Sequence, residues 1–439
     1  MAEIESKTNE NEDEVLEEIP SWFPLDVAGI IYPNARRYGW CTTYRFAFIM
    51  KEEVDPVILK QALKDISPRF PSFFVKIKAG LFWYYLERAD DLDIVEEEDY
   101  YPCRYIETTE TTKPAIRVLY YKNRISIETF HSVADGGGAL VFNKTLVARY
   151  LELKKGIKIT ITPDIADINE KPKKYEMEDS FRANYKKMKG LTRKEETAYC
   201  YKAPLIKNYY KIIHGLIPAE DIKAAAKARG MTITEFLMVT YLYAFYKNAP
   251  GKVNKPIKIS IPASLRARFG SRTLRNFSLF ANIGFNPEGR TDITFEEIFE
   301  MVKGKMEHSL STEELHKMLC INVRDAQNPI LRFIPNALKK PVMQFIFDHA
   351  GENKFTSCMT NLGVQKMPPE MYEHIDRMEC LLGSSPTKHL LCAMISYNNI
   401  VNISFTSASK KTDVQKTFFR VLSENGVRVR IECNCKEDE

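Results

Sequence analysis

The stretch Thr129-Phe130-His131-Ser132-Val133-Ala134-Asp135-Gly136-Gly137-Gly138 decides how this chain of 439 residues is read. Before it, residues 124–128 alternate apolar and polar, the period of a half-buried strand. After it, Ala139, Phe142, Leu146 and Tyr150 fall at helical spacing. A histidine therefore ends a strand, an aspartate follows, and glycines open a helix. By alternation His131 continues the face of Ile125 and Ile127, which is expected to be buried. An imidazole there needs a polar cavity or a partner. Asp135 stands where a carboxylate caps the first free N–H groups of a helix. The glycines allow positive φ, or the close approach of another backbone or a ligand. On its own the stretch reads more plainly as a core histidine at a strand end, with Asp135 only a cap.

Working outward, residues 115–121 and 124–130 pair as a hairpin across Lys122-Asn123. Upstream, 42–50 reads as a strand. Residues 55–66 read as a helix, with Asp55 as cap and Pro56 in the first turn. Residues 70–77 and 80–86 read as strands joined by a tight turn at Ala79-Gly80. The acidic, polar residues 1–18 read as a disordered tail. Downstream, 164–187 is charged and proline-containing and reads as a surface connection. That divides the chain into a first lobe over 19–163, a connection over 164–200 and a second lobe over 201–439.

The second half repeats the element types. Residues 218–229 read as a helix closed by Gly230. Thr232-Ile233-Thr234-Glu235 is a capping box for a helix over 233–247, apolar almost all round and so expected between layers. Ile257, Ile259 and Ile261 alternate in a strand expected to end at Pro262. Residues 295–315 read as largely helical, with Thr294 and Glu297 as a second capping box. A short strand over 355–360 stops at Asn361-Leu362-Gly363. Residues 390–396 and 400–406 form a hairpin around Asn398-Asn399, followed by a helix over 413–422 and a last strand over 427–431. The class is α/β (α+β), in two similar lobes.

Composition narrows the functions. With 44% hydrophobic and 28% charged residues the chain is ordinarily globular. Its 25 Phe and 22 Tyr suffice for large cores or an apolar ligand tunnel. A net charge of +5, with no basic run interleaved with aromatics, does not point to nucleic acid. No apolar stretch reaches membrane-spanning length, and the acidic N-terminus is not a signal peptide. Nine dispersed cysteines without zinc spacing read as reduced thiols in a cytoplasmic protein with no metal site. His308 and His316 lack the spacing of a helical metal pair. His349 and His374 merely adjoin a carboxylate in sequence.

The pattern His131-x-x-x-Asp135-Gly136 resembles the signature of the acyltransferase superfamily typified by chloramphenicol acetyltransferase. That group includes plant acyl-CoA transferases, condensation domains of peptide assembly lines and microbial alcohol acetyltransferases. Two further matches follow in order. Pro262-Ala263-Ser264-Leu265-Arg266 fits the family's Pro-x-x-Leu-Arg segment, and Leu274-Arg275-Asn276 is similar to the alcohol acetyltransferase branch. Thr360-Asn361-Leu362-Gly363 fits its Ser-Asn-x-Gly segment with Thr for Ser. The resemblance spans about residues 40–431.

The resemblance implies two chloramphenicol acetyltransferase-like lobes with an active-site tunnel between them. It implies His131 as general base, Asp135 and Gly136 as loop residues, and Arg266 as the partner of Asp135. It offers the Thr360 hydroxyl and the Asn361 amide as oxyanion donors. Acyl-CoA, acetyl-CoA above all, is the cosubstrate it suggests, with a small-molecule alcohol or amine as acceptor, no permanently bound cofactor, and a monomer. The plainer readings are a solvated Arg266 and a strand-ending Asx turn at Asn361. Lys252, Lys255 and Lys258 could meet the phosphates of CoA, though such a cluster is more often a wet surface. Phe130 occupies the place of the first of two histidines in condensation domains, no carrier-protein domain accompanies the chain, and the plant-type Asp-Phe-Gly-Trp-Gly segment is absent. These departures favour a stand-alone enzyme. A histidine neutral near pH 7 suits proton removal from a hydroxyl. No Gly-x-Ser-x-Gly elbow occurs, which favours direct attack over an acyl-enzyme. Two alternatives stay open: an N-acyltransferase or carrier-dependent enzyme on the same fold, and a catalytically silent protein that keeps the tunnel for an apolar ligand.

Overall fold

The computed structural model describes residues 14–36, 42–107, 111–206, 209–329, 333–383, 385 and 387–434. In the first part run β1 (Trp22–Pro24), β2 (Thr43–Met50), β3 (Val75–Ala79), β4 (Tyr84–Arg88), β5 (Val95–Glu97), β6 (Ile116–Tyr121) and β7 (Arg124–Phe130). Later come β8 (Lys211–Pro218), β9 (Ile257–Ser264), β10 (Ser278–Phe285), β11 (Ser357–Val364), β12 (Ile375–Leu382), β13 (Leu390–Tyr397), β14 (Ile400–Ser407) and β15 (Arg430–Cys433). They form a five-stranded sheet in the order β12-β2-β7-β6-β5, a seven-stranded sheet β10-β9-β11-β13-β14-β8-β15 and a three-stranded sheet β1-β4-β3. Helices cover the sheets, so the class is mixed α/β, as expected.

The first core lies between the five-stranded sheet and the helices Pro56–Ile66 and Gly136–Lys155, with Phe73 stacked on Phe142 at 4.6 Å. Asp55 caps the first of these helices through Val57 N and Ile58 N. The second core lies around the helix Ile233–Lys247, whose Phe236, Leu237, Tyr241 and Phe245 are all fully buried. Its capping box, Thr232 with Glu235, is present.

The two sheets are not halves of the chain. β12, from the second half, pairs antiparallel with β2 at the edge of the first sheet and also packs on β13 and β14. The lobe boundary expected at 164–200 therefore does not separate the sheets. Nor is the connection all surface. Glu176, Ser180 and Phe181 are buried, and Glu176 holds Arg69 through two bonds of 2.6 Å. Of the expected tail, residues 1–13 lie outside the described residues, while Glu14 and Leu16 are docked by backbone bonds to Lys174 and Pro172.

Local differences have local causes. The expected strand 70–77 begins only at Val75, because residues 70–73 close a turn in which Phe73 N donates to Phe70 O at 3.0 Å, with Pro71 at its second position. The next strand starts at Tyr84, so the turn spans Gly80 to Trp83. β9 runs through Pro262 rather than ending there. Its pairing with β11 stops at Ser260, so the missing N–H faces an open side. The helical region 295–315 is broken at Gly304, which adopts φ +75°. β8 and β12 lack a clear alternating signal in sequence, whereas β10 carries one, Leu279, Ala281, Ile283 and Phe285 being buried at every second position.

Candidate active site

His131 follows β7, and its N–H donates to Thr42 O at 2.9 Å. The ring lies deep in the protein but is not sealed from solvent. Tyr32, on the short helix Ile31–Ala35, stacks on it at 4.4 Å between centroids. Tyr44 meets it edge-on at 5.1 Å and spends its own hydroxyl on Ala134 O. Among the described residues the Tyr32 hydroxyl has no hydrogen-bond partner, and burial raises its pKa well above the ordinary phenol value.

The ring is fixed from across the molecule. His131 Nδ1 lies 3.1 Å from Asn276 Oδ1. Asn276 Nδ2 donates to Asp26 Oδ2 at 3.1 Å. A carboxylate only accepts, so this bond sets the amide with its oxygen toward the imidazole. His131 Nδ1 must then carry the proton, and Nε2 keeps its lone pair. Asp26 is fully buried and held in turn by Gly29 N at 2.6 Å and by Arg275 at 3.5 Å.

Asp135 caps the helix Gly136–Lys155 through Gly138 N at 3.1 Å. Its Oδ2 also accepts from Phe277 N at 2.8 Å. Arg266 meets it with NH1 to Oδ2 at 2.9 Å and NH2 to Oδ1 at 2.8 Å, a two-pronged pair. The same guanidinium donates to Thr273 O and Arg275 O at 2.8 and 2.6 Å. Arg266 thus knits the loop that carries Asn276 and ties it to the loop that carries His131. The glycines serve approach rather than positive φ. A Cβ on Gly138 would lie 1.9 Å from Leu274 O, so only hydrogen fits between helix and loop.

Electrostatics follow from these neighbours. Burial lowers the His131 pKa below the ordinary imidazole value, opposed by the charge of Asp135, the bond to Asn276 and the charge of Asp26. Burial would raise Asp135, but Arg266 and the N–H donors of Phe277 and Gly138 outweigh it and hold the carboxyl below its ordinary range.

The third motif lies on β11. Leu362 reaches the His131 loop, 3.2 Å from where a Cβ on Gly136 would stand. Asn361 is committed elsewhere: its Nδ2 donates to Thr234 at 3.1 Å and its Oδ1 accepts from Gly363 N at 2.9 Å. That is the Asx turn of the plainer reading. The Thr360 hydroxyl has no hydrogen-bond partner among the described residues and is free to donate. Lys258 is engaged by Glu195 and Glu196 O, while Lys252 and Lys255 are exposed. Among the described residues no group of three or more His, Cys, Asp or Glu could hold a metal ion. His214 bonds Ser404 at 2.8 Å and His316 bonds Asn184 O, both far in sequence from the loop.

Some site residues escaped the sequence reading. Asn276 stands in the sequence only as part of a motif, and nothing there assigns a role to Asp26, nor to Tyr32 and Tyr44 on the ring faces. A lone Asp within the apolar run Phe23-Pro24-Leu25-Asp26-Val27-Ala28 is the signal the sequence carries for Asp26.

No family model matches the chain, and neither does any curated protein sequence. Solved structures do. The TRI101 protein of F. sporotrichioides, crystallised with coenzyme A and T-2, matches with a TM-score of 0.61 at 8% identity, over 93% of this chain and 99% of that one. The first condensation domain of the calcium-dependent antibiotic synthetase matches with 0.60 at 12% identity, over 93% and 99%. The TRI3 trichothecene 15-O-acetyltransferase from Fusarium sporotrichioides matches with 0.52 at 12% identity, over 95% and 99%. At such identities these likenesses show a shared two-lobed fold.

Proposed function

We propose that this protein transfers an acyl group, foremost acetyl, from acyl-CoA to the hydroxyl of a small-molecule alcohol. The observation that carries the reading is the hydrogen-bond chain from Asp26 through Asn276 to His131. The Asp26–Asn276 relay leaves Nε2 as an unprotonated base, and the lowered pKa keeps it so near pH 7.

The steps need little else. The acceptor hydroxyl gives its proton to His131 Nε2 as its oxygen bonds to the thioester carbon. The carbonyl electrons move to oxygen, where the Thr360 hydroxyl is the candidate donor. The carbonyl C=O double bond re-forms, the C–S bond breaks, and the departing thiolate takes the proton from His131. Imidazolium is transiently stabilised by Asn276 Oδ1 and by the negative charges of Asp26 and Asp135. Direct attack suits the absence of a nucleophile elbow. A 15-O-acetyltransferase and a protein crystallised with coenzyme A are among the similarly folded proteins, which supports the choice of cosubstrate and acceptor.

The test is release of free thiol from acetyl-CoA against a panel of alcohols and amines. The reading expects thiol release with alcohols, intersecting initial-rate lines and no acetylated protein by intact mass. Release with amines only, or release with neither class, overturns it.

A further inference from the structure

The helix Asn336–Ile346 is turned inside out. Three of its four polar side chains, Asn336, Lys339 and Gln344, face the protein. Asn336 and Lys339 are each only 8% exposed. Asn336 donates from N to Leu81 O and from Nδ2 to Gly80 O, both at 2.8 Å, and Lys339 Nζ donates to Phe82 O. Gln344 reaches Arg36 O at 3.3 Å. Its apolar side chains face solvent: Leu338 is 65% exposed and Phe345 62%. The hairpin tip that receives the polar bonds adds Leu81 at 71% and Trp83 at 51%, and Phe333 beside Phe82 adds 74%. A helix serving only its own core presents the opposite faces. Single exposed apolar residues are ordinary, but a contiguous group fixed outward by buried polar bonds marks an interaction surface.

The charges indicate what it meets. Within 75–84 and 333–347 every charged residue is a lysine: Lys76, Lys78, Lys339 and Lys340. Lys76 and Lys78 lean on Glu87 at 3.1 and 4.0 Å, and Lys339 points inward. Lys340 is exposed and, among the described residues, has no carboxylate partner. A second copy of the chain would set like charges together across a twofold axis. An apolar helix face with lysine beside it and a tryptophan at its margin matches the headgroup layer of an anionic bilayer.

We infer that this face docks the protein reversibly on an anionic lipid surface. The inference does not depend on the acyl-transfer reading. The same helix packs against Ile31–Ala35, which carries Tyr32 onto His131, so the docked face stands one helix from the candidate site.

The experiment is co-sedimentation of the full chain with vesicles of phosphatidylcholine alone and of phosphatidylcholine mixed with phosphatidylserine. Wild type should bind the mixed vesicles at least about tenfold better, and added salt should weaken binding. Leu338→Glu/Phe345→Glu should lose binding about tenfold or more with an unchanged melting temperature. Lys340→Ala should weaken it about fivefold. Should the double variant fail to fold, quenching of wild-type tryptophan fluorescence by brominated acyl chains decides, and quenching is expected. Failure of wild type to bind the mixed vesicles, equal binding by the folded double variant, or a dimer in solution that the variant abolishes without any vesicle binding would overturn the inference.

Discussion

Asn276 turns its carbonyl oxygen toward Nδ1 of His131, 3.1 Å away, across 145 positions of sequence. The amide is not free to turn, because Asp26 holds its other end. Asn276→Ala should therefore lower kcat by about 100-fold through loss of ring orientation, and lower the melting temperature as well, because the buried Asp26 loses a donor. The acid limb of its pH–rate profile should move lower, since a bond that raises the His131 pKa is gone. An unshifted limb with normal kcat would show that the contact does not orient the ring.

His131 itself should be indispensable. His131→Ala is expected to lose about 100- to 10,000-fold in kcat. Circular dichroism and melting should show a folded protein, which separates lost chemistry from lost structure.

Thr360 and Asn361 should part company. Thr360→Val should lower kcat by up to about 100-fold with little change in KM, if its hydroxyl meets the oxyanion. Asn361→Ala breaks the turn and the bond to Thr234, so it should lower the melting temperature first. Equal kinetic losses from both would point to a disturbed strand end instead.

Asp135 and Arg266 act as one unit. Removing Arg266 leaves Asp135 buried and unpaired, at a cost of about 3–5 kcal/mol, while removing Asp135 leaves the partly exposed Arg266 with only the carbonyls of Thr273 and Arg275. Denaturant titration of Asp135→Ala, Arg266→Ala and the double variant should give a coupling near the size of either single loss. Additive losses would mean that the two sites stabilise the fold independently.

Acid should weaken the protein in two windows of the same sign. The His131 pKa is lower folded than unfolded, so the unfolded chain binds more protons below about 6.5. That stability is whole above this value and falls as pH drops. Asp135 is also held low, so its contribution is whole above the ordinary carboxylate value, about 3.9, and is lost as pH falls through the lower folded value. His131→Gln should flatten the stability curve in the upper window only. Melting temperatures from pH 7 downward check this.

The sequence exposed the local parts of this design. Asp55 and Thr232 announce helix starts because a cap and its helix are neighbours in the chain. Asn398 and Asn399, at φ +46° and +60°, announce a hairpin for the same reason. His131, Asp135 and Arg266 were legible through a resemblance, while the contact of the last two is a tertiary fact. Asp26 was not, because its partners Arg275 and Asn276 lie far along the chain and no period marks them. β12 was missed because Ile375-Asp376-Arg377-Met378-Glu379 does not alternate cleanly, and nothing in it names the sheet it joins.

The late position of β12 also bears on how the protein is made. The first sheet cannot close while the ribosome has delivered only the first half, since the edge of β2 waits for residues 375–382. Until then an apolar strand edge stands open to other nascent chains, the condition under which chaperones are needed. A fragment ending near residue 200 should accordingly precipitate on its own, and co-expression of the remainder should bring it into solution.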